Sequence, residues 1–458
     1  MKQLLAYCLS IILCVSFTGC MENYLDLYPE DKITSASFPE NESDIKLLLN
    51  GVYAQLREKE VYNQGLFGFG ITDGATPNAF NWGTDEVFNK LGAGRLSSSD
   101  GGVVTYRWKR CYEIISRANY LLACMDLVDL SEEAKAKYSG ETHFLRGLAY
   151  SVLAETYGGV PIILTDISTE EARSLKRASL EETWQQALDD YEVAITNLGV
   201  DAPEPGRATK GAALGMKMRA YLYQGKYKEV LSCVEQIDAL KKYGLFHSYE
   251  GLFDPANENN KEVLFDIQYI EGENSQGSYI DQYCGTGTGS WTRGSRYVPT
   301  DDLVAAYETI DGSPVDPENP YENRDPRLGF TAVLPGSYFL GYRFPNYLYP
   351  GGAFNHAGNR LKHLSTRKYR IQDESKLPPS GQSYINDIIL RYADVLLSKA
   401  EAIIETNGNV ADAIAILNRI RTERDDVKIS LLPTSMSREE AREKVRHERR
   451  IELALEGR

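Results

Sequence analysis

The sequence predicts a mostly α-helical protein, with helices stacked as antiparallel pairs and one large irregular lobe set into the series. Three observations carry this. Over residues 43–242 and 386–458 apolar side chains recur at three-to-four spacing, and many of the runs open on Ser, Thr or Asp. A helix, glycine turn, helix grammar occurs at 220–227 and returns at 402–409. Between 243 and 385 the periodicity stops, and Gly, Pro, Asn and Tyr take over.

The chain opens on a leader. Lys2 is followed by an apolar run from Leu4 to Phe17, about fourteen residues, the length of a signal-peptide core and too short to span a bilayer. It stops at Phe17-Thr18-Gly19-Cys20. Small residues before a cysteine suit a lipoprotein signal peptidase, which would remove residues 1–19 and leave an acylated Cys20. Phe17 stands where leucine is commoner, and the alternative is ordinary secretion with an incidental cysteine. Residues 20–42, with Pro29, Pro39 and scattered acids, read as a tether.

Helical patterns follow. Ser43 or Asp44 is positioned to cap a helix carrying Ile45, Leu48, Leu49, Val52, Tyr53 and Leu56. A longer one spans about 103–126, with Trp108, Tyr112, Ile115, Ala118 and Leu122 on one stripe. Ser131 opens the next, which halts at Gly158-Gly159-Val160-Pro161. Further helices start near Leu180 and Thr209, the second turning at Gly225 into another through Cys233 and Ile237. In the lobe, Val263–Ile267 reads as a strand and 301–309 as a short helix. The last stretch is helical again, with a stripe of Ile389, Ala393, Leu396, Ala400 and Ile403, then one of Val445, Ile451 and Leu455 behind the capping-box start at Ser437. Paired helices with small alanines and a left-handed glycine turn resemble tetratricopeptide repeats, here irregular and interrupted.

At 42% hydrophobic and 25% charged, 458 residues can bury a substantial core. The formal charge is -15, and loss of Lys2 with the leader makes it -16. That balance argues against nucleic acid and anionic lipid surfaces as partners. Among the seven cysteines, Cys8 and Cys14 leave with the leader. Cys111 and Cys124 share a helix about 20 Å apart, too far to bridge. With Cys233 and Cys284 they read as buried thiols, and the lack of a CxxC pair argues against a zinc or redox site.

Catalytic constellations are weak. His143, His247, His356, His363 and His447 are scattered without metal-ligand spacing. Gly285 to Gly289 is not a dinucleotide fingerprint and precedes no helix. Arg391, Asp394 and Glu401 can share a helical face, but read as pairing with neighbouring helices. Glu448, Arg449, Glu452 and Glu456 read as a solvated or inter-helix charge face.

Ordered blocks of residues then point to a family. Tyr24-Leu25-Asp26 with Pro29, Leu49 to Tyr53, Trp108 to Leu122, Phe144 to Gly147, Tyr157 to Pro161, Ala208 to Ala213, Leu390 to Leu397 with Ala400-Glu401-Ala402, Leu417 to Arg421 and Glu448 to Leu453 follow one another along the chain. In this order they resemble the SusD/RagB family of outer-membrane nutrient-binding lipoproteins of Bacteroidota. Members usually run on past the Glu456-Gly457-Arg458 motif, so a missing C-terminal segment is expected.

The resemblance implies a non-catalytic, lipid-anchored, surface-exposed protein without a cofactor. Its partners would be a SusC-like TonB-dependent transporter, to which it delivers oligosaccharide or, in RagB-like members, peptide. Two loops suit sugar, because aromatic rings accept its C–H faces and polar side chains its hydroxyls. One is Phe80-Asn81-Trp82-Gly83, preceded by Asp73; the other runs from Tyr283 through Trp291-Thr292-Arg293 to Tyr297. Trp82 and Trp291 are the expected stacking rings, and Asn81, Asp73 and Arg293 the hydroxyl partners. The competing reading makes both tryptophans buried loop anchors. Tyr338 to Tyr349 is a third aromatic cluster, suited to ligand or transporter. A surface glycosidase is the remaining alternative; its carboxylate pair would be about 5–9.5 Å apart.

Overall fold

The computed structural model describes residues 38–57, 73–81, 90–97, 99–165, 167–270, 277–278, 297–339, 342–343, 354–356, 359–361, 364–378 and 382–457. The leader, Cys20 and most of the tether lie outside them.

The first helix, α1 (Glu42–Tyr53), is capped by Asn41, not by Ser43 or Asp44. Asn41 is extended and its side chain accepts the Asp44 amide, while Asp44 sits in the first turn, where its charge suits the helix dipole. α2 (Val103–Cys124) and α3 (Glu132–Tyr157) pack as an antiparallel pair. The buried line of α2 is Cys111, Ile114, Ile115, Ala118, Leu121 and Cys124, with Trp108 and Tyr112 at its edge. Cys111, Cys124 and Cys233 are buried free thiols, as expected. Ser131 caps α3, and Gly158 ends it at φ 76°. The next residue, Gly159, is required by space: a Cβ there would lie 2.1 Å from the Ala178 carbonyl oxygen.

A short helix the pattern did not signal, α4 (Thr169–Ser174), precedes α5 (Leu180–Asn197), whose Ser179 and Glu182 complete a capping box. α6 (Lys210–Tyr223), capped by Thr209, turns at Gly225 (φ 68°) into α7 (Tyr227–Ala239). Apart from the short α4, consecutive helices pack on one another: α3 with α5, α5 with α6 and α6 with α7. The lobe then intervenes. Its short helices are α8 (Asp301–Ala306) and α9 (Pro326–Thr331). The helical array resumes with α10 (Tyr392–Glu405), which packs on α7, and continues through α11 (Val410–Thr422) to α12 (Arg438–Glu452).

The strands are short and paired. β1 is Ala79–Asn81, β2 Val263–Ile267 and β3 Tyr297–Pro299. β4 is Ala332–Val333, β5 Ser365–Thr366 and β6 Asp387–Arg391. β2 pairs antiparallel with β6, Asp387 opposite Ile267 and Arg391 opposite Val263. Ile389 therefore belongs to a strand, not to the helical stripe that follows it. The whole of β6 is buried, so its apolar run lacks the alternation that would mark a strand. The expected helix over 301–309 stops at Ala306, because Thr309 bridges to Arg324 instead.

Two apolar cores result. The larger lies between the helices. The smaller fills the lobe with Tyr249, Leu252, Phe253, Leu303, Tyr307, Leu328 and Tyr369, and receives Ile451 and Leu455 from the C-terminal segment.

Candidate functional site

The two segments singled out for ligand contact are paired at their described ends. β1 pairs antiparallel with β3, Ala79 opposite Pro299, Phe80 opposite Val298 and Asn81 opposite Tyr297. Asn81 ends β1, and Trp82 is covalently next. Tyr297 begins β3, and the segment with Tyr283, Trp291 and Arg293 precedes it. Both ligand loops are thus attached at one end of one ladder. At the other end the Thr300 amide donates to the Asn78 carbonyl at 3.0 Å, and the Thr300 hydroxyl donates to the Pro77 carbonyl. Thr300 also caps α8 through the Leu303 amide, 3.1 Å. Phe80 presents its ring outward at 45% exposure.

Trp82, Tyr283, Trp291 and Arg293 lie outside the described residues, as do Phe67, Phe69, Phe344, Tyr347 and Tyr349. Two other expected residues are placed differently from a ligand contact. Asp73 is buried, and its carboxylate accepts the Gly457 amide at 2.6 Å. Its backbone carbonyl receives the Thr76 amide and hydroxyl at 3.0 and 2.8 Å. Tyr297 is buried in the lobe core, and its carbonyl accepts the Thr366 hydroxyl at 2.9 Å. Polar character alone gave Asp73 its expected role; the fold uses the charge to hold a turn. In the third cluster Tyr338 is exposed and Phe339 buried.

Around the C-terminal segment lies a buried ionic network, of which sequence reasoning offered only the inter-helix alternative for Glu448, Glu452 and Glu456. Glu452 accepts from Arg391 (2.7 Å), Arg327 (2.8 Å) and Arg424 (2.8 Å). Arg391 also holds Glu262 (2.8 Å) and Glu456 (2.7 Å). Arg327 holds Asp325 (2.8 Å) and Glu448 (2.7 Å), and Glu448 also meets Arg421 (2.9 Å). Lys368 reaches Glu456 at 2.6 Å, the Tyr249 hydroxyl at 2.8 Å and the Ala454 carbonyl at 2.8 Å. The carboxylates come from the turn before β2, the loop before α9 and the C-terminal segment. Burial alone would raise the Glu452 pKa, but Arg424, Arg391 and Arg327 hold it far below the usual carboxylate range. Burial lowers Lys368 to about 8, against the pull of Glu456. Glu448, Glu452 and Glu456 are therefore inter-helix partners and not a solvated face. Asp394 pairs with Arg219 (2.9 Å) and Arg449 (2.7 Å), and Glu401 approaches Arg449, as the packing reading of that set expected. Among the described residues, no cluster of His, Cys, Asp or Glu has the arrangement of a metal site, and no helix is long and apolar enough to cross a membrane.

Comparison with known proteins agrees with this architecture. The model described as the SusD family matches residues 261–458, and one described as starch-binding associating with outer membrane matches 23–222. The chain belongs to the SusD family. This SusD-family chain is 25% identical over 492 residues to a SusD-like protein of Formosa agariphila, covering 99% of this chain and 88% of that one. It superposes with a TM-score of 0.80 on a SusD-like carbohydrate binding protein from Bacteroides fragilis, 28% identical, covering 91% of this chain and 84% of that one. A laminarin-binding SusD-like protein shares the fold, at 22% identity and a TM-score of 0.72 over 91% of this chain and 90% of that one. These relationships associate the family with the outer membrane and indicate no enzymatic family.

Proposed function

We propose that this protein captures an oligosaccharide at the cell surface and passes it to a SusC-like TonB-dependent transporter, with no bond made or broken. In this reading Cys20 carries the lipid that holds the mature chain to the outer membrane. The observation that carries the proposal is the β1–β3 ladder, from one end of which both aromatic, glycine-containing loops spring. Trp82 and Trp291 stack on sugar rings, and Asn81 and Arg293 bind hydroxyls. The carbohydrate-binding relative from Bacteroides fragilis supports the ligand class. Asp73 and Tyr297 frame the site from within and do not touch the sugar.

The test is a glycan-array screen of the unlipidated mature protein, followed by calorimetry on the best glycan. Trp82→Ala combined with Trp291→Ala should abolish binding and leave the melting temperature nearly unchanged. A large loss of stability would instead make both rings buried anchors. Shortened glycans after incubation would contradict a pure binder.

A further inference from the structure

We propose that Arg450 is a positioning residue for the ligand loops, acting through Asn78 at the closed end of the β1–β3 ladder. The inference rests on the glycan-binding reading above, and adds that the aim of its loops is set from the C-terminal helix. Arg450 lies on α12, two residues from both Glu448 and Glu452, and so faces away from the buried network that they enter. Those two carboxylates fix the rotation of the helix. Arg450 is half-buried, and its Nε donates to the Asn78 Oδ1 at 2.7 Å.

Asn78 is a junction. Its carbonyl accepts the Thr300 amide, its own amide donates to the Thr76 hydroxyl at 3.1 Å, and its side chain takes the guanidinium. A second tie runs from the same C-terminal segment, where the Gly457 amide donates to Asp73. Besides these ties, Ala79 packs into the lobe core. Among the described residues its regular structure is a helical Asp73-Gly74 and the three-pair ladder, and such a short strand pair is marginal alone. From Asn78 to Asn81, where the described strand ends, the rise is about 10 Å, so a tilt of about 10° at Arg450 displaces the Asn81 backbone by about 2 Å. A shift of that size is enough to spoil stacking and hydrogen bonding together.

The experiment compares wild type, Arg450→Met, which keeps the stem and removes the guanidinium, and Arg450→Lys. Hydrogen–deuterium exchange needs no ligand. Amides over 73–81 should exchange at least tenfold faster in the Met variant, with α3 and α5 unchanged and partial recovery in the Lys variant. Glycan affinity should fall about tenfold in Met, and Asn78→Ala should add little to that loss, because both changes break the same tie. Unchanged exchange over 73–81 would overturn the proposal, as would acceleration spread through α3 and α5, or wild-type affinity in the Met variant. If wild type binds no glycan while 73–81 still loosens in the Met variant, the tie stands and the glycan reading is what fails.

Discussion

Replacing Glu452 with Ala should cost the protein about 4 kcal/mol, the middle of the range for breaking a buried ion pair. The carboxylate touches three guanidinium groups, those of Arg327, Arg391 and Arg424, none more than 1% exposed at the side chain. Its removal does not strip them bare, since Asp325, Glu448, Glu262 and Glu456 remain as partners. What it leaves is one positive charge too many in a region that water does not enter. The unfolding entropy of a chain this long is about 0.9 kcal/mol per degree, so the melting temperature should fall by about 4–5 °C. Glu452→Gln, which keeps shape and loses charge, should fall between wild type and Ala. Calorimetric melting in low salt and in 1 M salt, roughly a 3 Å Debye length, is the assay. The gap should persist in salt, because the pair is buried. The pH dependence has a definite sign. A carboxylate whose folded pKa is depressed contributes stability that is fully present above the unfolded value near 4.3 and is lost as pH falls toward the folded one. The wild-type advantage over Gln should thus be full at pH 7 and shrink only in acid. A shift under 1 °C, or a gap that closes in salt, would refute a buried, dry network.

Three further outcomes are expected. Burial pushes Asp266 up to about 6 and Glu258 up to about 7, so both favour the folded state most when protonated. Their contribution is present below the unfolded pKa values near 4 and is lost as pH rises through 6 to 7; Asp266→Asn should flatten the fall in unfolding free energy between pH 5 and 7.5 by about 1.4 kcal/mol, whatever its offset, as read by denaturant melts. Gly159→Ala should destabilise by about 2–4 kcal/mol, since its Cβ meets backbone; a loss under about 1 kcal/mol in thermal melts would contradict the close approach to Ala178. Ser437→Ala should lose about 1 kcal/mol through the capping box of α12, and Thr at this position should restore most of it in the same melts.

The helical array was legible because helices write themselves into sequence locally. Ser131, Ser179, Thr209 and Ser437 each cap a helix within a residue or two of where the pattern placed its start. Failures came where the deciding contact is remote. Ile389 fits a helical stripe by spacing, yet its strand partner is more than a hundred residues away. Asn41 outcompetes Ser43 and Asp44 as cap because of a backbone angle that composition does not encode. Asp73 reads as a free polar group until the Gly457 amide is seen against it. The two aromatic loops could be nominated separately, but nothing local says that Asn81 faces Tyr297.

The charged residues carry the deepest ambiguity. Arg, Glu and Asp at helical spacing normally mark a solvated face, and here Arg327, Arg391, Arg421, Arg424 and Lys368 meet Asp325, Glu262, Glu448, Glu452 and Glu456 in the interior. Such a network is a poor source of stability, since apolar replacements often match or exceed it. It is, however, selective about geometry: a misaligned lobe would leave charges unpaired at a cost of several kcal/mol, whereas a misaligned apolar surface loses contacts only gradually. The lobe has few long elements to register it against the helices. Its short strands and one-turn helices would slide on an oily interface. Tying Arg391 of β6, Arg327 and Lys368 to the C-terminal segment fixes that register, and Arg450 on another face of α12 extends the same frame to the segment from which the Trp82 loop springs. A joint apolar replacement of Asp325 and Arg327, which removes one buried charge of each sign, would separate the two roles. It should keep the melting temperature within a few degrees while loosening amide protection over 73–81 and in β3, and retained protection there would assign the network to stability alone.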